Sequence, residues 1–169
     1  LLLIEGGYVY VNAEGDGLDS NDSIKMTGGT VVVYGPTNAG NGTLDYDNTF
    51  TVEGGTLIAA GSSGMAMGVS DTSTQNALMM TFTNVQEAGT TVNVTTANGD
   101  VLATVAPEKA FQTIVISTPD LAQQQSYTLN FGGTVKGEEK NGVYSQASIM
   151  TGMTGSVEFT LPAQVMTYV

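Results

Sequence analysis

A stretch in the first third of the chain repeats itself without a gap. Leu18-Asp19-Ser20-Asn21-Asp22-Ser23-Ile24-Lys25-Met26-Thr27-Gly28-Gly29-Thr30-Val31-Val32 aligns with Leu44-Asp45-Tyr46-Asp47-Asn48-Thr49-Phe50-Thr51-Val52-Glu53-Gly54-Gly55-Thr56-Leu57-Ile58, 26 positions further on. A period of this length belongs to chains that stack one small unit on the next, because a single unit cannot bury its own apolar face. Within each unit apolar and polar residues alternate and β-branched types dominate, so the units are expected to be coils of short parallel strands rather than helical pairs. Residues one period apart then become vertical neighbours at the inter-strand spacing.

Three segments begin with the same glycine pair: Gly6-Gly7-Tyr8-Val9-Tyr10-Val11, Gly28-Gly29-Thr30-Val31-Val32-Val33 and Gly54-Gly55-Thr56-Leu57-Ile58-Ala59. Such a pair suits a tight corner where φ is positive or a side chain would clash. Strict alternation predicts inward columns Val9-Val31-Leu57 and Val11-Val33-Ala59, continued by Leu18 over Leu44, Ile24 over Phe50 and Met26 over Val52. The interval between the first two units is 22 residues, and the loop Gly35-Pro36-Thr37-Asn38 supplies the extra length of the second. Tyr10, Val32 and Ile58 form an outward apolar column, and a contiguous exposed stripe of this kind implies something that covers it.

Beyond residue 60 the repeat stops. Residues 61–68 are small and residues 70–76 are polar, which reads as a connector. Alternating segments then follow at 78–82, 91–95, 101–105, 113–117, 127–131 and 157–161. Asn98-Gly99 between two of them is a strong hairpin signal and Asn141-Gly142 a weaker one. Thr118-Pro119-Asp120-Leu121 has the capping hydroxyl and first-turn proline of a short helical turn. The fold expected is therefore all-β: a right-handed parallel β-helix of about two to three coils over 1–68, followed by an antiparallel β-rich cap over 69–169 that packs on the solenoid. The chain opens within a unit, so the first rung is expected to be covered, by further N-terminal coils or by self-association with another subunit.

The charge pattern narrows the function. Sixteen Asp and Glu residues stand against four lysines, with no histidine and no cysteine. A nucleic-acid or anionic-membrane surface is excluded on that balance, and cations or basic partners are favoured. Thiolate and imidazole metal sites are excluded as well, leaving hard oxygen ligands and hence calcium or magnesium. The apolar run Leu1-Leu2-Leu3-Ile4 is too short for a membrane span and reads as a strand.

The repeat places Asp19 over Asp45 and Asn21 over Asp47, all facing outward if Leu18 and Leu44 face inward. At about 4.8 Å and an effective dielectric of about 20, two like charges repel by roughly 3 kcal/mol. That repulsion favours a raised pKa or a bound cation. Asp16 and Asp22 lie within reach, which brings the oxygen count to what calcium requires once carbonyls and water are added. The alternative is a solvated turn whose carboxylates splay apart. Neither the EF-hand order nor a nine-residue calcium repeat is present.

Triads are absent for want of histidine and cysteine. Glycoside hydrolysis needs one carboxyl selectively protonated, and nothing obvious sets one of these apart. Lys25 is the one lysine within the repeat and reads as an ordinary surface lysine rather than a lyase base. Tyr34, beside the loop 35–38, and Tyr46, flanked by Asp45 and Asp47, are the candidate stacking platforms for a sugar; each is also at home as a packed aromatic.

Residues 6–21 (Gly-Gly-Tyr-Val-Tyr-Val-Asn-Ala-Glu-Gly-Asp-Gly-Leu-Asp-Ser-Asn), 28–37 (Gly-Gly-Thr-Val-Val-Val-Tyr-Gly-Pro-Thr), 40–47 (Gly-Asn-Gly-Thr-Leu-Asp-Tyr-Asp) and 54–66 (Gly-Gly-Thr-Leu-Ile-Ala-Ala-Gly-Ser-Ser-Gly-Met-Ala) closely resemble the carbohydrate-binding parallel β-helix family of clostridia and related bacteria. Ala-Gly-Thr-Thr-Val (88–92), Phe-Gln-Thr-Ile-Val-Ile-Ser-Thr-Pro-Asp-Leu (111–121), Tyr-Thr-Leu (127–129) and Asn-Gly-Val-Tyr (141–144) are similar to its C-terminal region. The resemblance implies a secreted or cell-surface bacterial protein with a pectate-lyase-like coil. It further implies calcium on the outside of the rungs at Asp16, Asp19, Asp45 and Asp47, and binding of an acidic polysaccharide such as polygalacturonate without lyase activity. Family members carry more coils before this point. Beside the binding module stand two other readings: a self-assembling extracellular filament or adhesion protein, and a polysaccharide lyase or hydrolase.

Overall fold

The computed structural model describes residues 1–169 and contains strands but no helix. Eight short strands make the first part: β1 (Leu2–Ile4), β2 (Tyr8–Asn12), β3 (Leu18–Ser20), β4 (Ile24–Met26), β5 (Thr30–Tyr34), β6 (Leu44–Tyr46), β7 (Phe50–Val52) and β8 (Thr56–Gly61). They pair in parallel as β1-β4-β7, β2-β5-β8 and β3-β6. The register follows the repeat: Val9 pairs with Val31 and Val31 with Leu57, Ile24 with Phe50, and Leu18 with Leu44. A slip of one residue would turn every apolar side chain outward, so the buried columns themselves enforce this register.

The glycine corners stack as closely as the strands. Gly29 and Gly55 have φ of 87° and 94°, and a Cβ on Gly55 would sit 2.5 Å from the Gly29 carbonyl oxygen. Both the left-handed backbone and the contact exclude a side chain. Gly55→Ala is therefore expected to lower unfolding free energy by about 2 kcal/mol or more, measured by urea denaturation against Gly15→Ala, where a Cβ meets nothing within 4 Å.

The second part comprises β9 (Ala77–Gln86), β10 (Val92–Thr96), β11 (Val101–Val105), β12 (Phe111–Ser117), β13 (Ser126–Phe131), β14 (Thr134–Lys136), β15 (Glu139–Lys140), β16 (Val143–Tyr144), β17 (Ile149–Thr151), β18 (Gly155–Thr160) and β19 (Met166–Tyr168). β10 and β11 form the hairpin over Asn98-Gly99, and β15 and β16 close over Asn141-Gly142, where both turn residues have positive φ. One six-stranded sheet runs β15-β16-β11-β10-β13-β18, and β14 pairs only with β17.

Three expectations change here. The boundary at 68/69 is crossed by a sheet, because β12 pairs antiparallel with β8 and the order is β19-β9-β12-β8-β5-β2. The second part is not purely antiparallel, since β19 runs parallel to β9. Residues 118–121 make a single turn closed by the Leu121 N–H on the Thr118 carbonyl at 3.2 Å, not a helical segment. The loop is too short to propagate a helix, whose first turn is the costly one.

Two apolar cores result. The inner one gathers Leu18, Ile24, Val31, Val33, Leu44, Phe50 and Leu57, with Ala77, Met79, Val115 and Met166 from the second part. The outer one lies between the two six-stranded sheets and holds Val32, Tyr34, Ile58, Leu78, Ile114, Val94, Val105 and Leu129. The outward column is thus covered: Val32 is 0% exposed, and half-buried Tyr10 packs on the same cluster and hydrogen-bonds Glu108.

The far edge of β7 is closed largely by hydroxyls. The Ser70 N–H donates to the Phe50 carbonyl at 2.8 Å while Ser70 Oγ accepts from the Phe50 N–H at 2.9 Å. Ser73 Oγ takes the Val52 N–H at 3.0 Å, and the N–H groups of Thr74 and Gln75 reach the Val52 carbonyl at 3.1 and 3.0 Å. The polar run read as a connector satisfies the groups a further strand would otherwise pair. At the opposite end β1, β2 and β3 each have one strand neighbour only.

Candidate metal centre

The acidic row is positioned by β3 and β6. Asp19 and Asp45 are direct register partners, Leu18 and Leu44 are buried beneath them, Asp19 is exposed and Asp45 half-buried. Asp16 lies in the turn before β3, where its Oδ1 accepts the Gly42 N–H at 2.7 Å. That turn is pinned again by Gly17 and Leu18 N–H groups on the carbonyls of Gly42 and Thr43 at 3.0 and 3.1 Å. Asp47 continues the row, its N–H on the Ser20 carbonyl at 3.2 Å, and Asp47 and Asn21 are both exposed. Asp22 departs from the row: Asn48 Nδ2 donates to its Oδ1 at 2.7 Å.

Electrostatics single out Asp45. Its burial first, then the carboxylates of Asp16, Asp19 and Asp47, hold its carboxyl above the usual value of 3.8. No cation offsets this. Lys25 is paired with Glu53 at 2.7 Å, Lys109 with Glu14 at 2.6 Å, and Lys140 lies over the Tyr8 ring at 3.7 Å. The carboxylates form a row rather than a cage, as no three acidic side chains converge on one ion position. Calcium takes about six to eight oxygens in flexible geometry, more than the acidic side chains bring to any one position of this row.

A raised carboxyl pKa in the folded state means that folding binds protons, so stability falls as pH rises through the window. The penalty is fully present above the raised value and absent below 3.8. Without calcium, Asp45→Asn should therefore melt above the wild type at neutral pH, and the gap should close on acidification to below that value. Parallel melting curves across pH check this, and a gap independent of pH would count against the repulsion.

The aromatic candidates fare differently. Tyr34 is 0% exposed, donates its hydroxyl to the Asn141 carbonyl at 2.6 Å and meets Tyr10 edge-on. It is a core residue and offers no ring face to a sugar. Burial pushes its phenol far above the ordinary tyrosine value. Tyr46 is half-buried, with its hydroxyl on the Gly68 carbonyl at 2.9 Å and its ring edge-on to Phe50. The open ring is that of Tyr168, 69% exposed, which nothing in the sequence marked.

Comparison with protein-family models, curated proteins and solved structures finds no match for this chain. No helix is long and apolar enough to cross a membrane.

Proposed function

We propose that the chain is a non-catalytic module that binds acidic polysaccharide of the polygalacturonate type at a bacterial cell surface, through calcium held along the outside of a right-handed parallel β-helix. The stacked parallel ladders at a 26-residue period support the coil reading. The observation that carries the functional reading is the register pairing of Asp19 with Asp45, in a row that also includes Asp16 and Asp47 and has no lysine beside it. Asp16, Asp19, Asp45 and Asp47 would hold the ion, with the Asn21 amide oxygen adjacent. Calcium bound there supplies a bridge between these carboxylates and those of a uronate chain, which a net charge of −12 would otherwise repel. The row itself fixes spacing along the coil, because strand pairing sets the distance from one carboxylate to the next. Lys25, held by Glu53, offers no free base beside the ladder.

Retention on immobilised polygalacturonate tests the reading. Binding is expected with calcium present and lost with chelator, lost also in Asp19→Asn/Asp45→Asn, and unaccompanied by new unsaturated ends. Equal retention with and without calcium would refute it.

A further inference from the structure

A cleft of about 370 Å³ opens beside the exposed ring of Tyr168. Val165 and Met166 line it, and Asp71, Gln123 and Gln164 give it polar walls. These three polar side chains come from three separate loops, all are exposed, and none makes a side-chain hydrogen bond or ion pair within the chain. Three buried or half-buried amides are committed within the chain: Asn76 to the Leu121 carbonyl at 2.7 Å, Gln75 to the Ser117 hydroxyl at 2.8 Å, and Asn93 to the Thr104 hydroxyl at 2.7 Å.

The loops are nevertheless fixed. The Gln124 N–H donates to the Leu161 carbonyl at 2.7 Å and the Leu161 N–H to the Gln125 carbonyl at 3.0 Å. The Ala77 N–H donates to the Val165 carbonyl at 2.9 Å, and Ser70 and Ser73 anchor the segment that carries Asp71 to the last rung. A pre-set backbone spares a ligand the cost of ordering the loops and leaves only the side chains to be fixed.

We infer that this cleft is a second, calcium-independent binding site for an uncharged sugar residue. The Tyr168 ring takes the C–H face of a pyranose, as aromatic rings with one polar handle do at wet apolar surfaces. The Asp71 carboxylate accepts from ring hydroxyls, and the amides of Gln123 and Gln164 both donate and accept. Charge selects the class: Asp71 is the only ionised group facing the cleft, and none of the four lysines lines it, so a uronate would meet repulsion without a counter-ion. The site shares no residue with the acidic row.

Titration with cellohexaose and with xylohexaose, followed by proton–nitrogen correlation spectra in the presence of chelator, tests it. Saturable shifts at the Gln123 and Gln164 side-chain amides are expected with at least one of the two sugars. They should persist in Asp19→Asn/Asp45→Asn and in Tyr168→Phe, and weaken about tenfold in Tyr168→Ala. Gln164→Ala, which leaves the ring in place, should weaken binding too. The inference is overturned if neither hexasaccharide gives a saturable shift, if Tyr168→Ala binds as tightly as wild type, or if trigalacturonate occupies the cleft equally well. Because chelator is present throughout, these outcomes are separate from the fate of the polygalacturonate reading.

Discussion

Val32→Asp is expected to abolish the folded state. Val32 lies in the middle of β5, paired with Tyr10 on one side and Ile58 on the other, and is 0% exposed between the two six-stranded sheets. The substitution removes a buried apolar side chain and leaves a carboxylate without a partner, for a combined loss on the order of 5 kcal/mol or more. Domains of this kind have about 5–15 kcal/mol in total. Circular dichroism and limited proteolysis should report a largely unfolded chain, whereas Val85→Asp, at a position 62% exposed, should behave as wild type. A folded, protease-resistant Val32→Asp would mean that the two sheets do not pack on each other in solution.

Calcium is expected to raise the melting temperature through the acidic row. An ion that binds only the folded state stabilises it by about 2.7 kcal/mol at a hundred times its Kd. For a chain of this size that corresponds to a shift of roughly 5–10 °C. Asp19→Asn/Asp45→Asn should lose the shift while melting no lower than wild type in chelator, because the double substitution also removes the repulsion that raises the Asp45 pKa. A midpoint in the wild type that ignores calcium would remove the ion from the account.

How far the sequence could be read depended on whether the relevant contact was one period away or many. Leu18 on Leu44, Ile24 on Phe50 and Asp19 on Asp45 are neighbours fixed by the repeat itself, and the hairpin turns at Asn98-Gly99 and Asn141-Gly142 are fixed by local backbone preference. The pairing of β12 with β8 has no such local signal, since any alternating strand can extend a sheet edge. Nor does a run of serine and threonine announce that its hydroxyls will close the edge of β7. Tyr34 is a different case, because it shares the face of Val32 two residues earlier, so the parity that places Val32 under cover places Tyr34 there too. Proximity to a glycine-proline loop drew it outward as a candidate; the alternation of the strand kept it in. For the cleft at Tyr168, the contributing loops are far apart in the chain, and only the folded backbone brings Asp71, Gln123 and Gln164 together.

The closed edge of β7 gives the two ends of the parallel ladders different character. Here the end below β7 and β8 is already occupied, by the hydroxyls of Ser70 and Ser73 and by β12. The free strand edges of β1, β2 and β3 lie all on one side. The stack of parallel ladders is therefore polar: at β7 and β8 the backbone groups are spent on side-chain hydroxyls and on β12, whereas β1, β2 and β3 keep theirs on one edge.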